Sequence, residues 1–332
     1  MKQDKTFFAQ LITIIFTIIF MGALSAKADI KVVTTIKPLH SLISNVMDGI
    51  GEPSLIIEGS TSPHSFVLKP SHAKLIEQAD IIFWIGEDIE TFMEKPLESI
   101  AKNAKKVSFM ELSSIEKLKF REENIFEHED HDDHGHDEKK DHDDHGHDEK
   151  EDHDDHGDGH EGHHHGEFDA HIWLDPANAK EMLHEIAHEL ADLDPANADK
   201  YESNADNTIK SIDDMISSVS SRINKNAKFI VFHDAYQYFE KRFGVATAGA
   251  LTLNTDVLPG AKQISEIKEV IAERDIKCIF SEPQFNPKII ETIAQDTGIK
   301  TGVLDPLGSI FDASQSQYFT LINDIGNKLK GC

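Results

Sequence analysis

Short apolar runs alternate with amphipathic segments along the first third of the chain, and this alternation indicates an α/β fold. Runs rich in β-branched and aromatic residues predict four strands, at 30–36, 53–59, 81–86 and 105–111. Prolines at the first position of the segments 38–49 and 70–80 predict helices between these strands, because proline is favoured in the first turn of a helix. Strands separated by helices favour a parallel sheet with helices packed on it.

The second half of the chain returns to the same rhythm after a long helical segment. Asp175-Pro176 and Asp194-Pro195 each combine a capping aspartate with proline at the first helical position. Neither glycine nor proline occurs from Ala196 to about Asn224, and apolar residues recur there at helical spacing. We predict one amphipathic helix of about 40 Å, long enough to bridge two lobes. Further strands are predicted at 228–232, 277–282 and 301–306, and helices at 235–243, 260–273, 287–297 and 314–329.

The N-terminus has the pattern of a secretory signal peptide. Lys2 and Lys5 precede an apolar run, and Ala26-Lys27-Ala28 is a small-x-small cleavage pattern that places the mature N-terminus near Asp29. The run is nearly long enough to cross a bilayer, so an uncleaved membrane anchor is the alternative. No cysteine lies near the cut, which argues against a lipoprotein and favours a soluble periplasmic protein.

The chain has only two cysteines, Cys278 and Cys332. In an oxidising compartment a lone pair of cysteines usually forms one disulfide. That disulfide would tie the C-terminus to the second half of the protein. A pair of metal-binding thiolates is the alternative.

Most of the acidity and most of the histidines belong to one segment. The formal net charge is −27, and residues 127–167 contribute −16 of it together with 13 of the 20 histidines. The unit DHDDHGHDEK occurs at 130–139 and again at 141–150, and a partial third copy follows. A repeat without an apolar position cannot form a core, so we expect a disordered loop. Because histidine-rich segments bind metal ions, it is interpreted as a low-affinity metal collector, a sensor of metal sufficiency or a solvated linker. Nucleic-acid binding is disfavoured because Lys and Arg are not clustered.

Three of the remaining histidines lie where strands end or loops turn. His64 follows the second predicted strand, His171 precedes a helix cap, and His233 closes the strand at 228–232. Asp305 occupies a similar position after the last strand. Ligands bind beyond the carboxyl ends of strands in open α/β sheets. Three imidazoles and a carboxylate suit tetrahedral Zn²⁺, whereas Mn²⁺ and Mg²⁺ prefer oxygen.

A second histidine motif gives a rival hypothesis. The segment His184-Glu185-Ile186-Ala187-His188 matches HExxH, which is typical of zinc-dependent hydrolases. No third ligand is evident downstream, and the surrounding helix is rich in Glu, Lys and Ala. A solvated helix face is the simpler interpretation.

The chain resembles the ZnuA-type zinc-specific solute-binding proteins of bacterial ABC importers, within the metal-binding cluster A-I family. The stretches that carry the resemblance are TTIKPLHSLI, PHSFVLKPS, IIFWIGEDIETFMEKPL, HIWLDPANA, VFHDAYQYFEKRFG, CIFSEPQF and LDPLG, which span nearly all of the mature chain in order. The resemblance implies metal ligation by His64, His171 and His233, and manganese-binding relatives place a Glu where this chain has His233. Some zinc members use a Glu before the first histidine, but Pro63 stands there, which leaves Asp305 or a water as the remaining ligand. The family also pairs two cysteines as Cys278 and Cys332 would pair.

The resemblance implies two α/β lobes, each a mostly parallel sheet flanked by helices, joined by one long rigid helix with the metal between them. The predicted boundaries are 1–28 for the signal peptide, 29–193 for the N-terminal lobe, 194–224 for the linker helix and 225–332 for the C-terminal lobe. We expect a monomer without enzymatic activity that captures Zn²⁺ in the periplasm and delivers it to the membrane permease of an ABC importer. A manganese or iron carrier of the same fold is the alternative.

Overall fold

The computed structural model describes residues 30–126, 166–253, 255 and 258–332. The predicted signal peptide therefore lies outside the described residues, and so does the predicted loop at 127–167 except for its last two residues. Within the described ranges no helix is both long and apolar enough to cross a lipid bilayer.

The first sheet contains four parallel strands. These are β1 (Val32–Thr34), β2 (Ser54–Leu55), β3 (Ile81–Trp84) and β4 (Lys105–Ser108), in the order β2-β1-β3-β4. Helices α1 (Lys37–Val46), α2 (Pro70–Gln78) and α3 (Glu94–Ser99) connect them. Every residue of β1 and β3 is buried, as expected for central strands covered on both faces.

The second sheet repeats this topology. Strands β5 (Phe229–His233), β6 (Ala250–Thr252), β7 (Cys278–Ser281) and β8 (Lys300–Val303) are parallel, in the order β6-β5-β7-β8. Helices α6 (Gln237–Phe243), α7 (Ala261–Glu273) and α8 (Lys288–Thr297) connect them. Two four-stranded parallel sheets flanked by helices confirm the predicted fold class.

Two helices precede the second sheet in the sequence. Helix α4 (Pro176–Leu193) begins at the predicted cap, where the Asp175 carboxylate accepts the Ala177 N–H at 2.8 Å. A 3₁₀ turn at Pro195–Asn197 then leads into α5 (Ala198–Arg222), the long helix that the sequence predicts. The boundaries of the two lobes stay a prediction, since the described chain from Lys31 onward forms one compact unit.

The C-terminal helix α9 (Gln317–Leu329) packs against α1 and α5, so the last part of the chain returns to the first sheet. The Lys37 ammonium on α1 donates to the carbonyls of Ser309, at 2.6 Å, and Phe311, at 2.9 Å. The predicted disulfide between Cys278 and Cys332 is present and ties this helix to β7. The two sheets are therefore fastened to each other at several points.

The segment 113–126 crosses from the first sheet to the second. Its residue Asn124 accepts the Ala250 N–H at 2.8 Å, and the segment pairs antiparallel beside β6. Gly249 permits this approach, because a Cβ at that position would lie 2.6 Å from the Asn124 carbonyl oxygen. The described chain resumes at Gly166 and reaches His171 five residues later.

Candidate metal centre

The structure brings His64, His171 and His233 together. One ring nitrogen from each lies within 4.8 Å of the other two, and these are the only three potential ligand residues grouped so closely within the described chain. The Nε2 atoms of His171 and His233 are 3.3 Å apart. The centroids of the three rings are separated by 5.2 to 5.8 Å. Ligands that are 62 or more residues apart in the sequence thus meet at one point.

A buried carboxylate fixes the ring of His171. The Asp169 Oδ1 atom accepts the Nδ1–H of His171 at 2.6 Å and its backbone N–H at 2.9 Å. Gln237, on α6 beside the second sheet, donates to the other Asp169 oxygen at 2.7 Å. Asp169 is fully buried, and the Tyr238 hydroxyl donates to its carbonyl at 2.6 Å. A proton held on Nδ1 leaves Nε2 free to bind a metal.

His233 has an equivalent partner in Glu282. This residue follows β7 directly, and its Oε1 atom accepts the Nδ1–H of His233 at 2.7 Å. Burial disfavours the charged imidazolium, but the carboxylates of Glu282, Asp234 and Asp169 outweigh that effect and raise the pKa of His233. Both buried histidines therefore present Nε2 towards the same space, each backed by negative charge.

His64 is held differently. It lies in the 3₁₀ turn Pro63–Ser65, where the Ser62 hydroxyl accepts its backbone N–H at 3.3 Å. The residue is partly exposed, whereas His171 and His233 are 4% and 3% exposed. This ligand comes from a partly exposed turn.

An ion-pair network stands behind His233. Arg121 donates to Asp234 at 2.6 Å and to Glu240 at 2.9 Å, and its guanidinium lies 4.1 Å from the centroid of the Phe126 ring. Burial raises the pKa of Asp234 to about 6 and that of Glu240 to about 7, although Arg121 opposes both shifts. Arg121 belongs to the crossing segment 113–126, so this segment is anchored beside the metal centre.

Asp305 lies outside the group of three histidines. It is 1% exposed, and its Oδ1 accepts from Gln284 at 2.8 Å and from the backbone N–H of Leu307 at 3.1 Å. Its Oδ2 accepts from the Ser309 backbone N–H at 2.6 Å and hydroxyl at 2.7 Å. In this geometry Asp305 organises the loop that follows β8, and its role as a metal ligand stays a prediction.

The rival HExxH motif lies on α4. His184 and His188 are both exposed, and Nε2 of His188 lies 3.9 Å from a carboxylate oxygen of Asp192. Neither histidine belongs to a cluster of three potential ligands within the described ranges. The motif therefore lacks the third ligand of a hydrolytic zinc site there.

Comparison with known proteins places the chain in a family. The model of the family described as zinc-uptake complex component A, periplasmic, matches residues 32–332. The chain belongs to this family. A high-affinity zinc uptake system protein from Brucella abortus is 45% identical over 94% of both chains. The Yersinia pestis protein of the same name is 33% identical over 92% of both.

Membership in the zinc-uptake component A family confirms the resemblance seen in the sequence. With it, zinc capture for uptake is confirmed as the function, and Zn²⁺ as the ligand. A solved structure described as a crystal structure of ZnuA superposes with a TM-score of 0.70 at 21% identity, covering 91% of this chain and 98% of that one. A Pseudomonas aeruginosa solute-binding protein, FpvC, solved with Mn²⁺, gives 0.69 at 20% identity, covering 92% and 97%. Both likenesses show the fold alone.

Asp169 and Glu282 are the site residues that the sequence reasoning missed. The strand-end rule that selected His233 also applies to Glu282, because this residue is the last one of the strand predicted at 277–282. Asp169 lies in a short irregular segment, and no local pattern distinguishes it from other acidic residues.

Proposed function

We propose that His64, His171 and His233 bind the Zn²⁺ that this chain carries to its importer. The observation that carries the proposal is the 3.3 Å between the Nε2 atoms of His171 and His233. Tetrahedral zinc with Zn–N bonds of about 2.0–2.1 Å requires ligand nitrogens about 3.3–3.4 Å apart. The two buried rings already stand at that separation, and His64 supplies a third nitrogen within 4.8 Å.

The donor set supports zinc over manganese or iron. The three grouped atoms are all imidazole nitrogens, which suit Zn²⁺, and Mn²⁺ prefers carboxylate and carbonyl oxygen. The fold alone does not select the metal, since FpvC has this fold and was solved with Mn²⁺. The histidine at 233 is therefore the position that favours zinc, because Glu282 fixes it as a nitrogen donor.

We also propose how the zinc is released. Lys37, Trp173 and Tyr318 form hydrogen bonds that join the two halves of the chain, with Trp173 Nε1 donating to the Pro306 carbonyl at 2.8 Å. Such fastening favours small movements over a wide hinge opening. Docking on the permease would then displace ligands from the metal.

We expect a monomer without catalytic activity, exported by cleavage near Asp29, and these expectations rest on the sequence.

Crystals grown with one equivalent of zinc test the site directly. An anomalous difference map at the zinc edge should show one peak bonded to the Nε2 atoms of His171 and His233 and to a ring nitrogen of His64. A peak elsewhere in the ordered chain, with these three rings uncoordinated, would overturn the proposal. Soaking the same crystals with excess Mn²⁺ should leave the zinc peak in place.

A further inference from the structure

The metal cavity contains two buried acceptor atoms, from residues in the second half of the chain, that have no hydrogen-bond partner among the described residues. They are Oε2 of Glu282 and Oε1 of Gln284. Both residues line the cavity that also contains the three histidines. Leaving a buried acceptor without a hydrogen bond is costly, so two in one cavity indicate a missing donor.

Neither atom can turn away without losing a bond that the site uses. The other oxygen of Glu282 accepts from Nδ1 of His233, and the carboxylate is buried. The amide nitrogen of Gln284 donates to Asp305 Oδ1 at 2.8 Å. Since a carboxylate oxygen can only accept there, the amide of Gln284 must place its nitrogen on Asp305 and its oxygen on the opposite side.

Three histidines leave one position of tetrahedral zinc unfilled. The Asp305 oxygens already accept from Gln284, Leu307 and Ser309, so Asp305 would have to give up hydrogen bonds to reach the metal. A water bound to zinc gives its lone pair to the metal and has two O–H groups left to donate. Two acceptors are the complement that such a water requires.

We propose that Glu282 and Gln284 are positioning residues that hold a water as the fourth zinc ligand, one O–H donating to Glu282 Oε2 and the other to Gln284 Oε1. The inference rests on the proposed three-histidine site. Glu282 thereby has two tasks, because one oxygen orients His233 and the other holds the water. Asp305 does not bind the water itself, but its carboxylate fixes the amide of Gln284.

Two variants separate these tasks. Glu282→Gln keeps an oxygen that can accept from His233 but replaces the second acceptor with an N–H donor, and we expect zinc affinity to fall about 10–100-fold. Gln284→Met removes the other acceptor at similar volume, and we expect a fall of about 5-fold. Glu90 is a buried glutamate beside the first sheet. Its variant Glu90→Gln is the matched control and should leave zinc affinity unchanged.

The double variant tests whether one water is shared. If both residues hold the same water, combining Glu282→Gln with Gln284→Met should cost less than the product of the two single losses, because the first change already frees the water. A loss equal to that product, measured by competition with a chromogenic chelator, would overturn the shared water.

A zinc-loaded crystal structure that resolves water gives the decisive readout. We expect an oxygen on the zinc within hydrogen-bond distance of Glu282 Oε2 and Gln284 Oε1, and its loss in Glu282→Gln. A carboxylate of Glu282 or Asp305 bound directly to zinc would overturn this inference but leave the three-histidine site intact. Zinc away from the three histidines would instead overturn the proposed function.

Discussion

The metal centre is made of two unlike parts, a buried pair of histidines and a histidine from a partly exposed turn. His171 and His233 are almost fully buried, and each donates its Nδ1–H to a buried carboxylate at 2.6–2.7 Å. His64 is partly exposed in a short 3₁₀ turn, and Val67, three residues further on, is 78% exposed. The contrast teaches that two ligands are preorganised by the core, whereas the third closes the site from a loop.

Removing a histidine of the buried pair should have the largest effect. We expect His171→Ala and His233→Ala each to weaken zinc binding by more than about 100-fold, beyond the range of losses from outer partners. His64→Ala should weaken binding less, mainly through faster zinc dissociation, because the preformed pair persists. Chelator competition gives the affinities and stopped-flow chelation gives the rates. Equal losses of zinc affinity in all three variants would contradict the distinction between the buried pair and the loop histidine.

Changing Asp169, the carboxylate that orients His171, should cause the next largest loss of zinc affinity. Asp169→Asn replaces an oxygen that orients the ring and its neighbouring backbone, and we expect a loss of zinc affinity of about 10–100-fold. Asp192→Asn, on the exposed end of α4, is the matched control and should bind like the wild type. If the two variants bind zinc equally well, the buried pair owes nothing to its carboxylates.

In the zinc-free protein, the buried ligand His171 should contribute more to the free energy of unfolding than the partly exposed ligand His64. His171→Ala leaves the buried Asp169 carboxylate without its ring partner, and the free energy of unfolding should fall by about 1–3 kcal/mol. His64→Ala changes a partly exposed residue, and we expect a change within about 0.5 kcal/mol. Urea denaturation in the presence of a chelator measures both. A stability loss at His64 as large as that at His171 would contradict the proposed difference.

Glu90 should have the smallest effect on zinc binding and a clear effect on pH dependence. Burial raises its pKa from 4.5 to about 7, although hydrogen bonds from the backbone N–H groups of Ile85 and Gly86 oppose the shift. A group with a raised folded-state pKa stabilises the protein below pH 4.5, and this contribution is lost as the pH rises through about 7. The loss is about 3 kcal/mol.

Glu90→Gln should therefore raise the free energy of unfolding at pH 8 relative to the wild type, with little difference near pH 4.5. Chemical denaturation at the two pH values measures the difference. If the free energy of unfolding rises equally at both pH values, the gain comes from packing and not from the ionisation of Glu90. Unchanged zinc affinity in this variant would separate carboxylates that serve stability from those that serve the metal.

The sequence predicts the elements whose signals are local. Proline and aspartate caps mark α4, and an uninterrupted amphipathic pattern marks α5, which the structure has as Ala198–Arg222. Strand β6 was not predicted, because its three residues become a strand only through pairing with β5 and with the crossing segment at Asn124. Helix α3 was missed as well, since its six residues contain an internal proline.

The same division holds at the metal centre. Histidines at strand and loop ends are visible in the sequence, so the sequence alone identifies the three candidate ligands. The bond between Asp169 and Gln237 depends on how two distant segments pack, and no spacing in the sequence encodes it. The number of hydrogen bonds that Asp305 accepts is likewise a property of the folded loop.

Zinc titration of the variant in which His64, His171 and His233 are all changed to alanine tests the central claim most directly. In competition with a chelator, the wild type should show one tight site, and the triple variant should lose that site and retain only weak binding. Circular dichroism of the zinc-free variant establishes that it is folded. A folded triple variant that still takes one equivalent of zinc from the chelator would contradict the account.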